Sequence, residues 1–384
     1  MMRRIKYIYE RADWPTFRWS SEAISNQLAA VRHHQGRLLG RIESLGFNLR
    51  AETTLQALTR DAVKTSEIEG ELLDPDEVRS SLARRLGMEK GGLRPLDKKA
   101  DAIAAVVLDA TQRFDQPLTA ERLFGWHASS FPNESRGRHP IKVGGWRTDE
   151  HGRMIVASGH AGKETIHFEA PHAQDVPAEM DRFLRWLDDP ADKTDLVLKA
   201  ALAHIWFVTI HPFDDGNGRI GRAIADMMLA RSEGTGQRCY SMSARLRLER
   251  PAYYATLEAI QKGDLDITVR LGWFLTVLEQ ALSDADSILA ATIRKGQFWE
   301  ELAKAPINQR QREMLNRLLD GFEGKLTSSK WAQITKCSQD TALRDIGDLT
   351  ERGVLVQDAA GGRSTSYSLS CEQKTGHPAA SLQL

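Results

Sequence analysis

H-P-F-D-D-G-N-G-R-I-G-R, residues 211–222, brings more chemistry-bearing side chains together than any other stretch of the chain. Ahead of it, residues 195–210 form an apolar run of helical length with Leu198, Leu202, Ile205 and Thr209 at three-to-four spacing, the signature of a buried core helix. Behind it, residues 219–232 repeat the period through Ile220, Ile224, Met227 and Met228, with Gly234 as a stop signal. The stretch is therefore a turn between two core helices.

Gly216, Asn217 and Gly218 tolerate positive φ, so successive backbone N–H groups can converge into a nest at the start of the second helix. That helix start also carries partial positive charge, which suits phosphate. Arg219 and Arg222, three apart on one face, extend the anion site with two permanently charged forks. Asp215 beside the nest suits Mg²⁺ shared with phosphate oxygens, whereas its neighbour Asp214 points the other way. His211, with a side chain that titrates near neutrality, is placed at the rim as a general base for a hydroxyl. Each piece alone reads as a helix stop or a turn. Together they read as a phosphate-handling site.

Position by position, this stretch resembles the signature of the Fic-domain family. The resemblance implies a mainly α fold, a Fic-type helical bundle with a β-hairpin flap. It also implies the activity of a protein adenylyltransferase, which moves AMP from ATP onto a Ser, Thr or Tyr hydroxyl of a target protein and onto itself. ATP is then the substrate and Mg²⁺ the cofactor. Carried over, His211 is the base, Phe213 helps place the target loop and Asp215 ligates the metal. Gly216, Asn217 and Gly218 form the anion hole, and Arg219 and Arg222 grip the phosphates.

A second feature lies upstream. A helix is expected over 51–68, ending in T-S-E-I-E-G-E at 65–71 with Gly70 as breaker. Glu69 at that C-terminus is disfavoured by the helix dipole unless a fixed positive partner faces it. Thr65-x-x-x-Glu69-Gly70 resembles the inhibitory-helix motif of the same family, found in members that carry their own inhibitor. The implication is that Glu69 pairs with Arg222, reaching toward Arg219, and takes the charge that the terminal phosphate of ATP needs.

Elsewhere, Tyr7, Tyr9, Trp14, Phe17 and Trp19 mark a segment that docks on the core. Helices are expected over 21–46 with Ser20 or Ser21 as cap, from Asp74-Pro75, over 97–114 and 118–131, and from Asp175 and Pro177; 87–95 reads as a loop. Between 137 and 170, glycines punctuate two short strands, 154–156 and 165–168, around a turn at 159–163. In the family such a hairpin is the flap, which clamps the target segment by strand-like pairing. A helix from Pro251 ends at Gly263; by resemblance Tyr254 and Gln261 lie near the nucleotide base, although the usual residue at the latter position is Asn. Aromatic core packing explains the Tyr253-Tyr254 pair nearly as well. His204 reads as a core or capping residue rather than a metal ligand, since no third ligand is evident.

A helix at 267–282 closes the domain, a helical run at 287–303 links onward, and helices at 308–319, 328–334 and 338–352 precede strands 354–356 and 366–369 around the Gly361-Gly362-Arg363 turn. That is the order of a small winged helix-turn-helix domain. Its third helix sets Asp340, Asp345, Asp348 and Glu351 against Arg344 and Arg352, a poor balance for DNA, so partner binding or a homodimer contact weighs at least equally. The expected partition is an N-terminal helical region at 1–96 with the inhibitory motif, a catalytic core at 97–285, the linker and winged helix at 286–370, and a disordered tail at 371–384.

Composition narrows the rest. Of 384 residues, 52 are basic and 52 acidic, so no global field recruits nucleic acid or anionic membrane. Cys239, Cys337 and Cys371 are too scattered for a zinc cluster or a disulfide framework, which fits a reducing cytoplasm. No apolar run has the length of a membrane helix. Two other functions use the same residues: an ATP-sensing DNA-binding regulator, and a hydrolase that removes AMP with Glu69 positioning water.

Overall fold

The computed structural model describes residues 6–88, 95–131, 141–150, 152–159, 163–303, 305–319, 322, 324–358 and 365–370. The expected turn at Gly361-Gly362-Arg363 and the tail at 371–384 lie outside the described residues, as does most of the loop at 87–95. In chain order the helices are α1 (Ser21–Glu43), α2 (Phe47–Ile68), α3 (Pro75–Arg85), α4 (Lys98–Gln112) and α5 (Ala120–Ser130). Strands β1 (Ile155–Ser158) and β2 (Thr165–Glu169) follow, then α6 (Val176–Leu187), α7 (Leu196–Ile210), α8 (Asn217–Glu233), α9 (Met242–Leu248), α10 (Arg250–Gln261) and α11 (Thr268–Glu301). The last elements are α12 (Gln309–Leu319), α13 (Ser328–Thr335), α14 (Gln339–Glu351), β3 (Leu355–Gln357) and β4 (Tyr367–Leu369). The chain divides into two compact units, residues 1–286 and 287–384.

Helix starts follow local chemistry. Ser20, Asp74, Asp97, Thr119 and Asp195 each accept a backbone N–H of the first turn of the helix they precede. Two expectations need correction. The helix expected over 51–68 begins earlier, at Phe47, behind Gly46 in an extended conformation. The separate helices expected at 267–282 and 287–303 are one continuous helix, α11, because no Gly or Pro turn interrupts the run between them. The short helix α9 had no expectation at all; Ser241 caps it on Ala244 N–H.

Within the first unit α7 is the central rod, buried from Val197 to Ile210, which is why its sequence is apolar on every side rather than on one stripe. Helix α8 lies against it. A Cβ on Gly221 would stand 2.9 Å from Val208 Cγ1, so glycine permits the close approach of the two helices. Leu55, Leu58, Ala62 and Val63 of α2 join Val78 and Leu82 of α3 and Ile103 and Val107 of α4 in one cluster. Asp61 of α2 accepts from Ser241 Oγ (2.6 Å) and Ser243 N–H (3.1 Å), tying that helix to α9. The hairpin pairs β1 and β2 antiparallel, Ile155 opposite Glu169 and Ser158 opposite Thr165. The N-terminal aromatics dock as expected, Tyr7 edge-on to Phe168 at 5.1 Å and Trp14 to Trp206 at 6.1 Å.

In the second unit, Met314, Leu315 and Leu318 of α12, Trp331 of α13 and Ile346 and Leu349 of α14 share a core with Leu355 and Leu369 of the antiparallel pair β3–β4. Among the described residues no helix is long and apolar enough to cross a membrane.

Candidate active site at the α7–α8 corner

Asp195 caps the start of α7, and His211 ends it in the left-handed region (φ 53, ψ 59), a conformation that non-glycine residues seldom adopt. Pro212 follows, and Gly216 (φ 78) opens α8. A Cβ at Gly216 would come within 2.7 Å of the Phe131 ring, so both the dihedral and the space require glycine there. Asn217 locks the corner: its side chain accepts from Phe213 N–H (3.0 Å) and donates to Phe213 C=O (2.8 Å). Its share in an anion hole is thus its backbone N–H, since the amide is already engaged. Ile220 N–H, donating to Gly216 C=O (3.0 Å), makes the first backbone bond of α8. The N–H groups of Asn217, Gly218 and Arg219 therefore sit ahead of the helical ladder, directed out of the helix start.

His211 Nδ1 lies 3.1 Å from Val208 C=O. A carbonyl only accepts, so Nδ1 carries the proton and Nε2 the lone pair, the tautomer a base needs. Burial pushes the imidazole down to about 4, with the Arg147 charge adding and the Val208 bond, Asp215 and Glu69 pushing back. The ring is thus neutral at physiological pH. Arg147 braces the strained residue from outside: its Nε donates to His211 C=O (2.8 Å) and its N–H to Pro212 C=O (2.9 Å). Nothing in the sequence marked Arg147, a lone basic residue in G-G-W-R-T; only its full burial identifies it.

Glu69, the C-cap residue of α2, reaches across to the nest, and a Cβ on Gly218 would collide with its Oε1. Arg222 Nη2 donates to Glu69 Oε1 (2.8 Å) and Thr65 C=O (3.0 Å), while Nε donates to Thr65 Oγ1 (2.8 Å). Arg222 is 3 % exposed, so the pair is shielded from solvent on one side. Burial works against the Glu69 charge, but Arg222, Arg219 and the Tyr254 hydroxyl more than offset it and hold the carboxyl below its ordinary range. Gly70 (φ 84) ends α2, and Glu71 N–H closes the end on Ser66 C=O (3.0 Å). The expected contact of Glu69 with Arg219 is replaced by another. Arg219 Nη1 pairs with Glu71 Oε2 (2.9 Å) and lies over the Phe131 ring at 4.8 Å, while Lys99 holds the other Glu71 oxygen (3.1 Å).

The remaining candidates fall into place around this clasp. Asp214 accepts from Lys142 N–H (2.7 Å), so it serves the loop. Asp215 is exposed beside the nest, with Oδ1 on Gly216 N–H (2.5 Å). Among the described residues no cluster of three or more acidic, His or Cys side chains could cage a metal unaided. One exposed carboxylate next to a phosphate nest suits Mg²⁺, which keeps waters and takes phosphate oxygens as ligands. Phe213 is fully buried, stacked on His127 at 4.3 Å, so it anchors the corner and presents no surface to a target loop. Tyr254 is partly exposed, its hydroxyl 3.4 Å from Glu69 Oε2. Tyr253 is buried between His204 Nε2 (3.0 Å) and Arg222 Nη1 (3.5 Å). Gln261 is buried behind His211, its Nε2 donating to Val208 C=O (3.3 Å).

Residues 117–229 match the model of the Fic/DOC family, and residues 7–88 that of a domain of unknown function, DUF4172. Protein adenylyltransferase fic-1 of Caenorhabditis elegans is 28 % identical over 231 residues, 58 % of this chain and 42 % of that protein. Protein adenylyltransferase Fic of Drosophila melanogaster is 33 % identical over 132 residues, 34 % of this chain and 23 % of that protein. The chain thus spans less than half the length of these curated relatives. A crystal structure of a Fic family protein from Desulfovibrio desulfuricans G20 shares the fold with a TM-score of 0.50 at 21 % identity, covering 90 % of this chain and 95 % of that one. The matched span holds the whole α7–α8 corner, and over residues 117–229 the chain carries a Fic domain.

Proposed function

We propose that this chain is a protein adenylyltransferase, transferring AMP from ATP to a Ser, Thr or Tyr hydroxyl of a target protein and of itself, and held idle by Glu69. The observation that carries the reading is the position of the Glu69 carboxylate, an anion seated over the first turn of α8 and paired with Arg222. A site that accepts a carboxylate there accepts a phosphate for the same reasons. The names of the relatives from Caenorhabditis and Drosophila support the same chemistry.

In this reading the nucleotide phosphates lie along the N–H groups of residues 217–219, with Arg219 and Arg222 on their oxygens. His211 Nε2 takes the proton from the target hydroxyl, and the oxygen attacks the α-phosphorus. The bond from that phosphorus to the β-phosphate oxygen breaks and pyrophosphate leaves. The backbone donors meet the charge that builds on the phosphoryl oxygens. Asp215 would hold Mg²⁺ together with phosphate oxygens, and the bound ion would supply neutralisation of part of that charge. Glu69 occupies Arg222, so the terminal phosphate loses its grip and the α-phosphorus is misplaced for attack. The β1–β2 hairpin, with Ile155 and Ile166 exposed, offers an edge on which an extended target segment can pair.

The second unit has the element order of a winged helix. The exposed positions of α14 include Asp340, Leu343 and Arg344, a mixed surface that favours a protein partner over DNA. Intact-protein and peptide mass spectrometry of the Glu69→Gly protein after incubation with mixed nucleotides and Mg²⁺ tests the proposal. An AMP adduct on a hydroxyl supports it, and no adduct or a different one overturns it.

A further inference from the structure

Resting on that reading, we infer that Gln261 is a positioning residue for His211: its amide fixes the carbonyl that selects the tautomer and direction of the base. In an uninterrupted helix Val208 C=O would accept from the backbone N–H four residues on. That residue is Pro212, which has no N–H. The His-Pro pair at the end of α7 therefore leaves one buried carbonyl without its ladder partner, a costly state unless other donors serve it. Two side chains do. His211 Nδ1 donates from 3.1 Å and Gln261 Nε2 from 3.3 Å, so both lone pairs of one oxygen are used.

Gln261 comes from the last turn of α10, an element remote in sequence, and is only 7 % exposed. A buried amide in that position stays where its hydrogen bond holds it. The backbone of His211 is braced separately by Arg147. Backbone and ring thus have independent supports, and Gln261 belongs to the second. Its amide donates to the carbonyl that holds the base, which is a different task from contacting an adenine ring.

The experiment uses the full-length Glu69→Gly protein as parent, with Gln261→Met, which keeps volume and removes the donor, and Gln261→Asn, which shortens its reach. Steady-state AMP transfer, MgATP affinity by calorimetry and the ¹⁵N chemical shifts of the His211 ring are measured for each. The expected result is a roughly tenfold loss in kcat, the scale of one hydrogen bond. KM and Kd for MgATP stay within about twofold of the parent, and the ring nitrogens shift toward a mixture of tautomers. Weakened MgATP binding with kcat retained would assign Gln261 to the nucleotide and overturn the inference, as would unchanged kinetics and shifts. A parent without any transfer ends the adenylyltransferase reading instead, while the ring shifts still decide the role of Gln261. If Gln261→Met does not fold, Gln261→Asn carries the same comparison.

Discussion

Replacing Glu69 with Gly removes the carboxylate of the clasp while leaving the C-cap of α2 in a conformation glycine adopts freely. Arg222 then keeps only neutral partners among the described residues, Thr65 and Tyr253. A charge-assisted hydrogen bond contributes about 1.5–3 kcal/mol, and breaking a fully buried pair costs about 3–5 kcal/mol. The Glu69 side chain is 30 % exposed, so the lower range applies. At about 1.4 kcal/mol per decade, releasing the clasp raises the competent fraction by roughly 10- to 150-fold. The assay is the initial rate of AMP incorporation followed by intact-protein mass, with MgATP at saturation for both proteins. A second readout is thermal: without nucleotide the variant melts lower, because a buried guanidinium has lost its countercharge. MgATP then raises its melting temperature more than it raises that of the wild type. Equal incorporation rates in proteins that both bind MgATP would refute the reasoning.

Three further outcomes follow from the same geometry. Glu71→Gln frees Arg219 from a mostly buried pair whose carboxylate is shared with Lys99, so the low end of a charge-assisted bond, about 1.5 kcal/mol, applies; AMP transfer in the Glu69→Gly background should rise by roughly tenfold, and a fall would show that Glu71 aids the reaction. Gly221→Ala sets a Cβ 2.9 Å from Val208 Cγ1 and should destabilise the fold by about 1–3 kcal/mol in chemical denaturation; an unchanged midpoint would mean that the helices separate without strain. His211 and His204 are pushed down to about 4 and about 3 from 6.5, chiefly by burial. The unfolded chain therefore binds more protons than the fold below 6.5, so stability drops as pH falls from there toward 4. Transfer by the Glu69→Gly protein should stay level through 6.5 and fail only near 4, because losing Glu69 removes a group that raises the histidine. A rate profile centred near 6.5 would contradict a base that its surroundings hold neutral.

The corner was legible because its chemistry is local. A histidine at a helix end, a glycine nest and two arginines one turn apart stand within one short run, and the run forms one turn in space. Glu69 was legible in two parts: an acid at a helix C-terminus needs a cation, and the resemblance to the inhibitory-helix motif named Arg222, with which Glu69 pairs. What escaped were roles set by three-dimensional neighbours. Arg147 holds carbonyls, which leave no trace in sequence. Glu71 differs from Glu69 only in facing the other arginine. Phe213, drawn by analogy toward the target, is claimed by His127, Phe124 and Trp146 in a core that only folding assembles. Periodicity likewise marked residues 267–282 and 287–303 as helical without showing that no break separates them.

In the proposed reaction this corner delivers the α-phosphorus of ATP to a hydroxyl activated by His211. The most direct measurement incubates the Glu69→Gly protein with Mg²⁺ and ATP labelled at either the α- or the γ-phosphate, beside the same protein carrying His211→Ala. Protein-bound label is expected from α-labelled ATP alone, and is lost with His211→Ala. Label from the γ-phosphate, no label from either, or α-label that persists without His211 would contradict it.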